Sequence, residues 1–146
     1  MTATITTAPE TTYTETSVTT PSLWKTGALA GAAAAAATTV VAAVARGLDV
    51  SLAIDGEAIP IAGFAQLTLF FTAVGVVLAR VMARRASQPR STFVTTTIAL
   101  TVLSFVPDAL LSADTASKLT LVVTHLVAAA IVIPALSARL PEQSTR

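Results

Sequence analysis

Hydrophobic and polar positions follow one another along this chain in long blocks. Four apolar runs cover approximately residues 24–45, 61–83, 92–111 and 118–137. Each run is close to the roughly 20 residues that a helix needs to cross about 30 Å of lipid tails. The pattern predicts an all-α integral membrane four-helix bundle, with residues 23–140 as its transmembrane domain.

A second pattern separates the first two runs. Residues 48–54 alternate roughly between apolar and polar, Asp55 and Gly56 supply a turn, and residues 57–61 resume the alternation. An Asp-Gly pair between alternating runs is the strongest short hairpin signal. We therefore predict a small extracytoplasmic β-hairpin on the membrane surface. Its acidic residues Asp49, Asp55 and Glu57 form either a ligand or partner loop, or a connector whose charges keep it solvated.

Alanine dominates the first run, where it supplies eleven of the nineteen residues from 27 to 45. Gly27 and Gly31 form a small-xxx-small motif, which lets helix backbones approach closely. Because alanine contributes little to insertion, we expect this helix to depend on its neighbours and to be central in the bundle. The run exceeds the apolar core of a secretory signal, which favours a retained anchor.

Composition excludes several classes of function. The chain is 53% hydrophobic and 12% charged, outside the range of ordinary soluble domains. Since the four runs use up most of it, no soluble catalytic domain remains, and we expect a non-enzymatic protein without a cofactor. It has no cysteine, which removes disulfides and thiolate ligands. Its net charge of +1, with arginines at the run borders, does not indicate nucleic-acid binding.

Lys and Arg are distributed unevenly between the two ends of the predicted bundle. One end holds only Arg46 and Lys118, whereas the other holds the remaining seven: Lys25, Arg80, Arg84, Arg85, Arg90, Arg139 and Arg146. This asymmetry predicts a multi-pass protein of the bacterial cytoplasmic membrane with both termini in the cytoplasm. Residues 1–22 contain ten threonines and few large side chains, so we expect a disordered cytoplasmic tail. Residues 141–146 form a short C-terminal tail.

A polar stripe runs along the third span. Thr97, Thr101, Ser104 and Asp108 are spaced 4, 3 and 4 residues apart, which aligns them on one helical face. We expect this face to point into the bundle, where a kink at the neighbouring Pro107 would add a free backbone carbonyl.

Two further polar residues occur at similar depth in the outer half of the membrane. His125 lies in the fourth span and Gln66 in the second. An Asp108–His125 contact with Gln66 nearby is geometrically possible, and ionisable groups in lipid usually mark a site or an internal hydrogen bond. The candidate intramembrane site therefore comprises Asp108, His125, Gln66, Ser104 and Thr101.

Two interpretations of these residues remain open. If Asp108 and His125 meet, the pair could exchange protons near neutral pH, as a relay or a binding site. Alternatively, the polar groups satisfy one another and hold the helices in register, at about 0.6 kcal/mol per bond. One histidine and one carboxylate are too few for a structural zinc site, so no metal is expected.

Several motifs carry a resemblance to a known family. They are GFAQL at 63–67, VPD at 106–108, THLVAAAIVIPAL at 124–136 and the IDGEAIP hairpin at 54–60. With them, residues 24–140 resemble a family of small actinobacterial membrane proteins that is known only as a domain of unknown function. The resemblance implies a four-span membrane fold and brings no substrate, cofactor or catalytic residue.

These observations together favour an accessory or interaction protein of the membrane. Its partners would be the lipid bilayer and either a second copy of the chain or another membrane protein. The alternative is a small oligomeric transporter or proton-linked carrier that uses Asp108 and His125.

Overall fold

A computed structural model describes residues 22–110 and 112–142 of the chain. These residues form a helix α1 (Leu23–Gly47), a hairpin of strands β1 (Ala53–Ile54) and β2 (Glu57–Ala58), and helices α2 (Ile61–Arg85), α3 (Pro89–Leu110) and α4 (Thr115–Ser137). The predicted N-terminal tail lies outside the described residues except for Ser22, and so does the C-terminal tail beyond residue 142.

All four helices are long and apolar enough to cross a membrane, with mean hydropathies of 1.9, 2.0, 1.6 and 2.3. The prediction of an all-α fold with four helices, each long and apolar enough to cross a membrane, is therefore confirmed. The helix ends differ from the predicted runs because capping residues extend them. α3 begins at Pro89, since proline is well suited to a first helical turn. α4 begins at Thr115, because the Asp114 side chain accepts a hydrogen bond from the Ser117 backbone N–H.

The helices form a four-helix bundle in which α1 packs against α2 and α4, and α3 packs against α4 and α2. α1 has the largest buried share of the four. Its buried face is built almost entirely from small residues, namely Gly27, Ala30, Gly31, Ala34, Ala35, Thr38, Ala42 and Ala45. This burial agrees with the expectation that the helix depends on contact with its neighbours, whereas α2 and α4 are the helices that each pack against all three others.

The contact between α1 and α2 is close because glycine lies at the crossing. A Cβ added at Gly27 would overlap Val76 Cγ2, and one added at Gly31 would lie 3.1 Å from Thr72 Cγ2. Farther along, Thr38 Oγ1 and Thr68 Oγ1 lie 3.0 Å apart in a hydrogen bond between the two helices. The small-xxx-small motif thus packs against the second helix of its own bundle.

Large apolar side chains cover the outside of the bundle. Exposed examples occur on every helix: Leu29 and Val40 on α1, Phe70 and Phe71 on α2, Ile98 and Val102 on α3, and Leu119 and Leu126 on α4. A helix that is hydrophobic on its outer face as well as its inner face is typical of a membrane span. This surface supports lipid as the solvent of the bundle.

The two ends of the bundle differ. One end carries the hairpin and residues 112–114, and we call it the hairpin end; its core contains Ala42, Ala45, Leu52 and Phe64. The other carries the α2–α3 link and residues 138–142, and we call it the arginine end; its core contains Val76, Ala79, Phe93, Leu136 and Leu140.

The predicted β-hairpin is present but short. Its two strands pair antiparallel with Ala53 opposite Ala58, and the turn residues Asp55 and Gly56 have φ values of 51° and 85°. Positive φ at both central residues is what a type I′ turn requires. The alternation over 48–52 does not form a strand, because Asp49 and Leu52 also have positive φ and interrupt the extended backbone.

The Gly27 contact gives a test of the α1–α2 packing. We expect Gly27→Ala to lower the free energy of unfolding by roughly 1–3 kcal/mol, because the new methyl group overpacks against Val76. The control is Gly47→Ala, where the added Cβ meets nothing within 4 Å. The measurement is helicity by circular dichroism during titration of detergent-solubilised protein with dodecyl sulfate. Equal stability of the two variants would contradict the close packing.

Candidate functional site

The polar stripe of α3 points into the bundle, as its spacing predicts. Thr97, Thr101 and Ser104 are partly buried and Asp108 is buried, whereas Ile98 and Val102 are about half exposed. The stripe therefore lies on the side of α3 that packs against the other helices.

The structure brings Asp108 and His125 together across the α3–α4 contact. The two helices are joined by a short link, so they run antiparallel, and His125 Nδ1 lies 3.2 Å from Asp108 Oδ2. Asp108 lies two residues before the end of α3, whereas His125 lies ten residues into α4. The contact therefore joins the last turn of α3 to the third turn of α4.

The hydrogen bonding of His125 defines how this pair can act. Its Nδ1 also lies 2.8 Å from the Leu121 carbonyl oxygen, one turn back on the same helix. A carbonyl oxygen only accepts, so Nδ1 carries a hydrogen and donates it to Leu121. This leaves Nε2 as the ring atom that can gain or lose a proton.

Asp108 lacks a comparable partner. Its Oδ2 is fully buried and has no hydrogen-bond partner among the described residues, although it lies close to His125 Nδ1. The Asp108 side chain is 10% exposed and the His125 side chain 38% exposed. The Phe105 ring meets the imidazole edge to face at a centroid distance of 6.2 Å. The pair thus combines a buried, unpaired carboxylate oxygen with an imidazole that reaches the surface.

The other predicted members of the site do not join the pair. Thr101 Oγ1 donates to the Thr97 carbonyl and Ser104 Oγ donates to the Thr101 carbonyl, so both hydroxyls are satisfied within α3. Gln66 is exposed, and no hydrogen bond links it to Asp108 or His125 in the part of the chain that the structure describes. In this structure these side chains therefore form no network with the Asp108–His125 pair among the described residues. Side chains of this kind bond preferentially to the preceding turn of their own helix.

Two polar contacts between helices were not anticipated from the sequence. Thr38 and Thr68 bond across the α1–α2 interface. Lys118 Nζ donates to the Ala109 carbonyl at 2.9 Å, which places a cation at the carboxyl end of α3. A cation in this position stabilises the end of a helix. The sequence signal for these contacts is weak, because each consists of a single polar residue among small or apolar residues.

The acidic residues of the hairpin do not converge on one point. Asp49, Asp55 and Glu57 are all exposed. Within residues 22–110 and 112–142, Asp55 makes one hydrogen bond beyond the hairpin, from its backbone N–H to the Ser112 carbonyl at 3.0 Å. Across those same ranges, no cluster of three or more His, Cys, Asp or Glu side chains could hold a metal ion.

A different set of residues attaches the hairpin to α4, and we call it the hairpin latch: Ser51, Leu52, Asp114 and Ser117. The Ser117 hydroxyl donates to Asp114 at 2.6 Å and accepts from the Leu52 backbone N–H at 3.0 Å. The Ser51 hydroxyl donates to the same carboxylate at 2.5 Å. These bonds hold Leu52 buried with a positive φ of 45°, a conformation that leucine rarely adopts.

The latch shifts the acidity of Asp114. Hydrogen bonds from the Ser117 hydroxyl, the Ser51 hydroxyl and the Ser117 backbone N–H hold the pKa of the Asp114 carboxyl well below its usual range. Each of these donors stabilises the charged form.

One of three comparisons with known proteins gives a match to this chain. A family model described as "Family of unknown function (DUF6069)" matches residues 18–142. No curated protein and no solved structure matches the chain. The family match agrees with the expectation of an uncharacterised family.

The Asp114 carboxylate gives a pH test of the latch. Because its pKa is lowered on folding, the latch contributes stability above the unfolded pKa of about 3.9 and loses it as the pH falls farther. We expect the thermal unfolding midpoint to fall below about pH 4, and to fall less in Asp114→Asn. Asp55→Asn, a second acid of the hairpin end, is the control and should keep the wild-type profile. Identical profiles for wild type and Asp114→Asn would rule out the latch as a source of stability.

Proposed function

The chain belongs to the DUF6069 family of unknown function, and we propose that it is a non-enzymatic accessory protein of the membrane that binds another membrane chain through the surface around His125. The observation that carries this proposal is the 38% exposure of the His125 side chain in the middle of an apolar helix.

An imidazole at a lipid-facing surface is unfavourable. Polar and ionisable side chains in spans usually face protein or a water-filled cavity, because lipid tails offer no hydrogen bond. The Nδ1 hydrogen is bonded to Leu121, so the free Nε2 still needs a partner. A neighbouring chain with a polar group at this depth would supply it.

The surface around His125 combines one polar side chain with apolar neighbours. We call it the α3–α4 face, and it comprises Val102, Phe105, Val122, His125 and Ala129. Val102 and Phe105 lie on one side of α3 by helical spacing, and His125 contacts Phe105. On α4, Ala129 follows His125 by one turn and leaves room for a backbone to approach. One polar group within an otherwise apolar patch would fix the register of the two chains.

Two surface concavities of the described residues lie away from Asp108 and His125. One, of about 380 Å³, is lined by Arg90, Ser91, Val94, Thr95 and Glu142 at the arginine end. The other, of about 200 Å³, lies between α1 and α2. Asp108 and His125 line neither, so these two concavities give no support to transport through a single copy.

We infer the orientation and location from charge. The arginine end carries Arg80, Arg84, Arg85, Arg90 and Arg139, and the positive-inside rule favours the cytoplasm for this end. Both termini would then be cytoplasmic and the hairpin extracytoplasmic, in the cytoplasmic membrane of a bacterium. The partner would be a second copy or another integral membrane protein.

Photo-crosslinking in cells tests the α3–α4 face. With p-benzoylphenylalanine at Val102, we expect a discrete protein adduct, whose mass distinguishes a second copy from another protein. The same probe at Phe70, which is equally exposed on α2, should give no discrete adduct. His125→Leu should abolish the Val102 adduct at unchanged abundance, whereas His125→Gln, which keeps a polar group, should retain part of it. Adducts that are insensitive to both substitutions would contradict the proposal.

A second candidate is a small oligomeric proton-linked carrier. It is favoured by the buried Asp108 Oδ2, which has no hydrogen-bond partner within the described residues and lies beside an imidazole with a free Nε2. For such transfer the imidazole takes up a proton at Nε2 and gives its Nδ1 proton to Asp108 Oδ2, which lies 3.2 Å away. In this hypothesis the pathway forms only between copies.

Proton flux distinguishes this candidate from the first. Purified protein in vesicles that contain a pH-sensitive dye should raise proton entry under an imposed potential above that of protein-free vesicles. Asp108→Asn should return the rate to the protein-free level, and Asp49→Asn, an exposed acid of the hairpin end, should leave it unchanged. Wild-type protein that adds no flux would exclude the carrier and leave the accessory role standing.

A further inference from the structure

A groove lies on the outer surface of the bundle between α1 and α2, in the half toward the arginine end. Its volume is about 200 Å³, roughly that of six or seven water molecules. Its floor consists of the buried residues Gly27, Gly31, Thr72 and Val76, with the Val76 and Thr72 side chains packed against the two glycines. The groove therefore lies beside the close contact between the two helices.

The walls of the groove are apolar and face outward. Trp24, Ala28, Leu69 and Ala73 line it, with Trp24 and Leu69 about half exposed. The one hydroxyl of the floor, on Thr72, donates to the Thr68 carbonyl and is therefore satisfied. An empty groove would leave its walls without van der Waals partners, so in a bilayer an apolar chain fills it.

Helical spacing places Arg80 on the side of α2 that carries the groove, toward its interfacial end. Gly27 lies against Val76 and Gly31 against Thr72, so in this antiparallel register Arg80 is level with Leu23 and Trp24. Arg80 follows Val76 by four residues and Ala73 by seven, which places it on the groove side of α2. Trp24 is of the type that occupies the lipid headgroup level. The groove thus has an apolar interior and a cation at its interfacial end.

From this arrangement we propose that the groove is a binding site for one anionic phospholipid, with an acyl chain between α1 and α2 and the phosphate at Arg80. The lipid comes from the leaflet at the arginine end. A guanidinium matches phosphate geometry through paired N–H donors, which explains selectivity for an anionic headgroup. This inference is independent of the partner proposed for the α3–α4 face.

The chain contains a single tryptophan, Trp24, and it lines the groove. All tryptophan fluorescence of the chain therefore comes from the wall of the groove. Two vesicle preparations of equimolar phosphatidylglycerol and phosphatidylcholine are compared, with brominated acyl chains on one lipid or on the other. Both have the same surface charge, so a difference in quenching measures which lipid occupies the groove.

We expect phosphatidylglycerol to be preferred by about fivefold, as one cation near an anionic headgroup provides. Arg80→Gln should remove the preference, and Arg139→Gln, which deletes an exposed charge at the same end, should keep it. Ala73→Leu should reduce quenching by filling the groove, whereas Ala99→Leu on the outer surface of α3 should not.

Three results would overturn the proposal. The first is the absence of a preference in the wild type. The second is equal behaviour of Arg80→Gln and Arg139→Gln, which would mean attraction by the general surface charge. The third is weak quenching by both lipids that rises as the protein is diluted in the bilayer, which would mean that a second copy fills the groove.

Discussion

The close approach of α1 and α2 is the contact on which the remainder of the bundle depends. Alanine and glycine provide little hydrophobic gain on entering lipid, so α1 is stabilised mainly by dense packing against its neighbours. That packing requires the absence of a side chain at Gly27, where Val76 occupies the space. With α1 in this position, α4 packs on its other side, and α3 is placed against α4 and α2.

This arrangement explains why α3 carries the polar chemistry. α3 has the smallest buried share of the four helices, so it has few apolar contacts to fix its rotation. The contact between Asp108 and His125 and the hydrogen bond from Lys118 to Ala109 fix the half of α3 at the hairpin end relative to α4. One pair therefore serves both to position the helix and to provide titratable groups. Structural and functional interpretations of such a pair are compatible.

The fold was largely predictable from the sequence, whereas the site was predictable only in part. The four spans and the Asp-Gly turn follow from hydropathy and from backbone preferences, which are local properties. Asp108 and His125 were recognised because ionisable residues are rare in lipid, and their similar depth follows from residue counting. The exposure of Gln66 depends on the rotation of α2, which hydropathy does not define when all faces are apolar.

The roles of Thr38 and Ser117 could not be predicted from the sequence either. Each is a small hydroxyl residue within a run of small residues, so nothing local distinguishes it from a neighbour. Thr38 gains its role because Thr68 lies opposite it, and Ser117 because Leu52 and Asp114 lie beside it. Both pairings join residues that are far apart in the sequence, and helical periodicity predicts only contacts within one helix.

The place of the Asp108–His125 contact has a consequence for the surrounding bilayer. Asp108 lies two residues before the end of α3, so the contact is close to the hairpin end of the bundle. Polar side chains near the end of a span draw water and headgroups inward by local thinning of the bilayer, at a cost of fractions of a kcal/mol per Å. We therefore expect the bilayer to be thinner beside α3 and α4 than on the opposite flank.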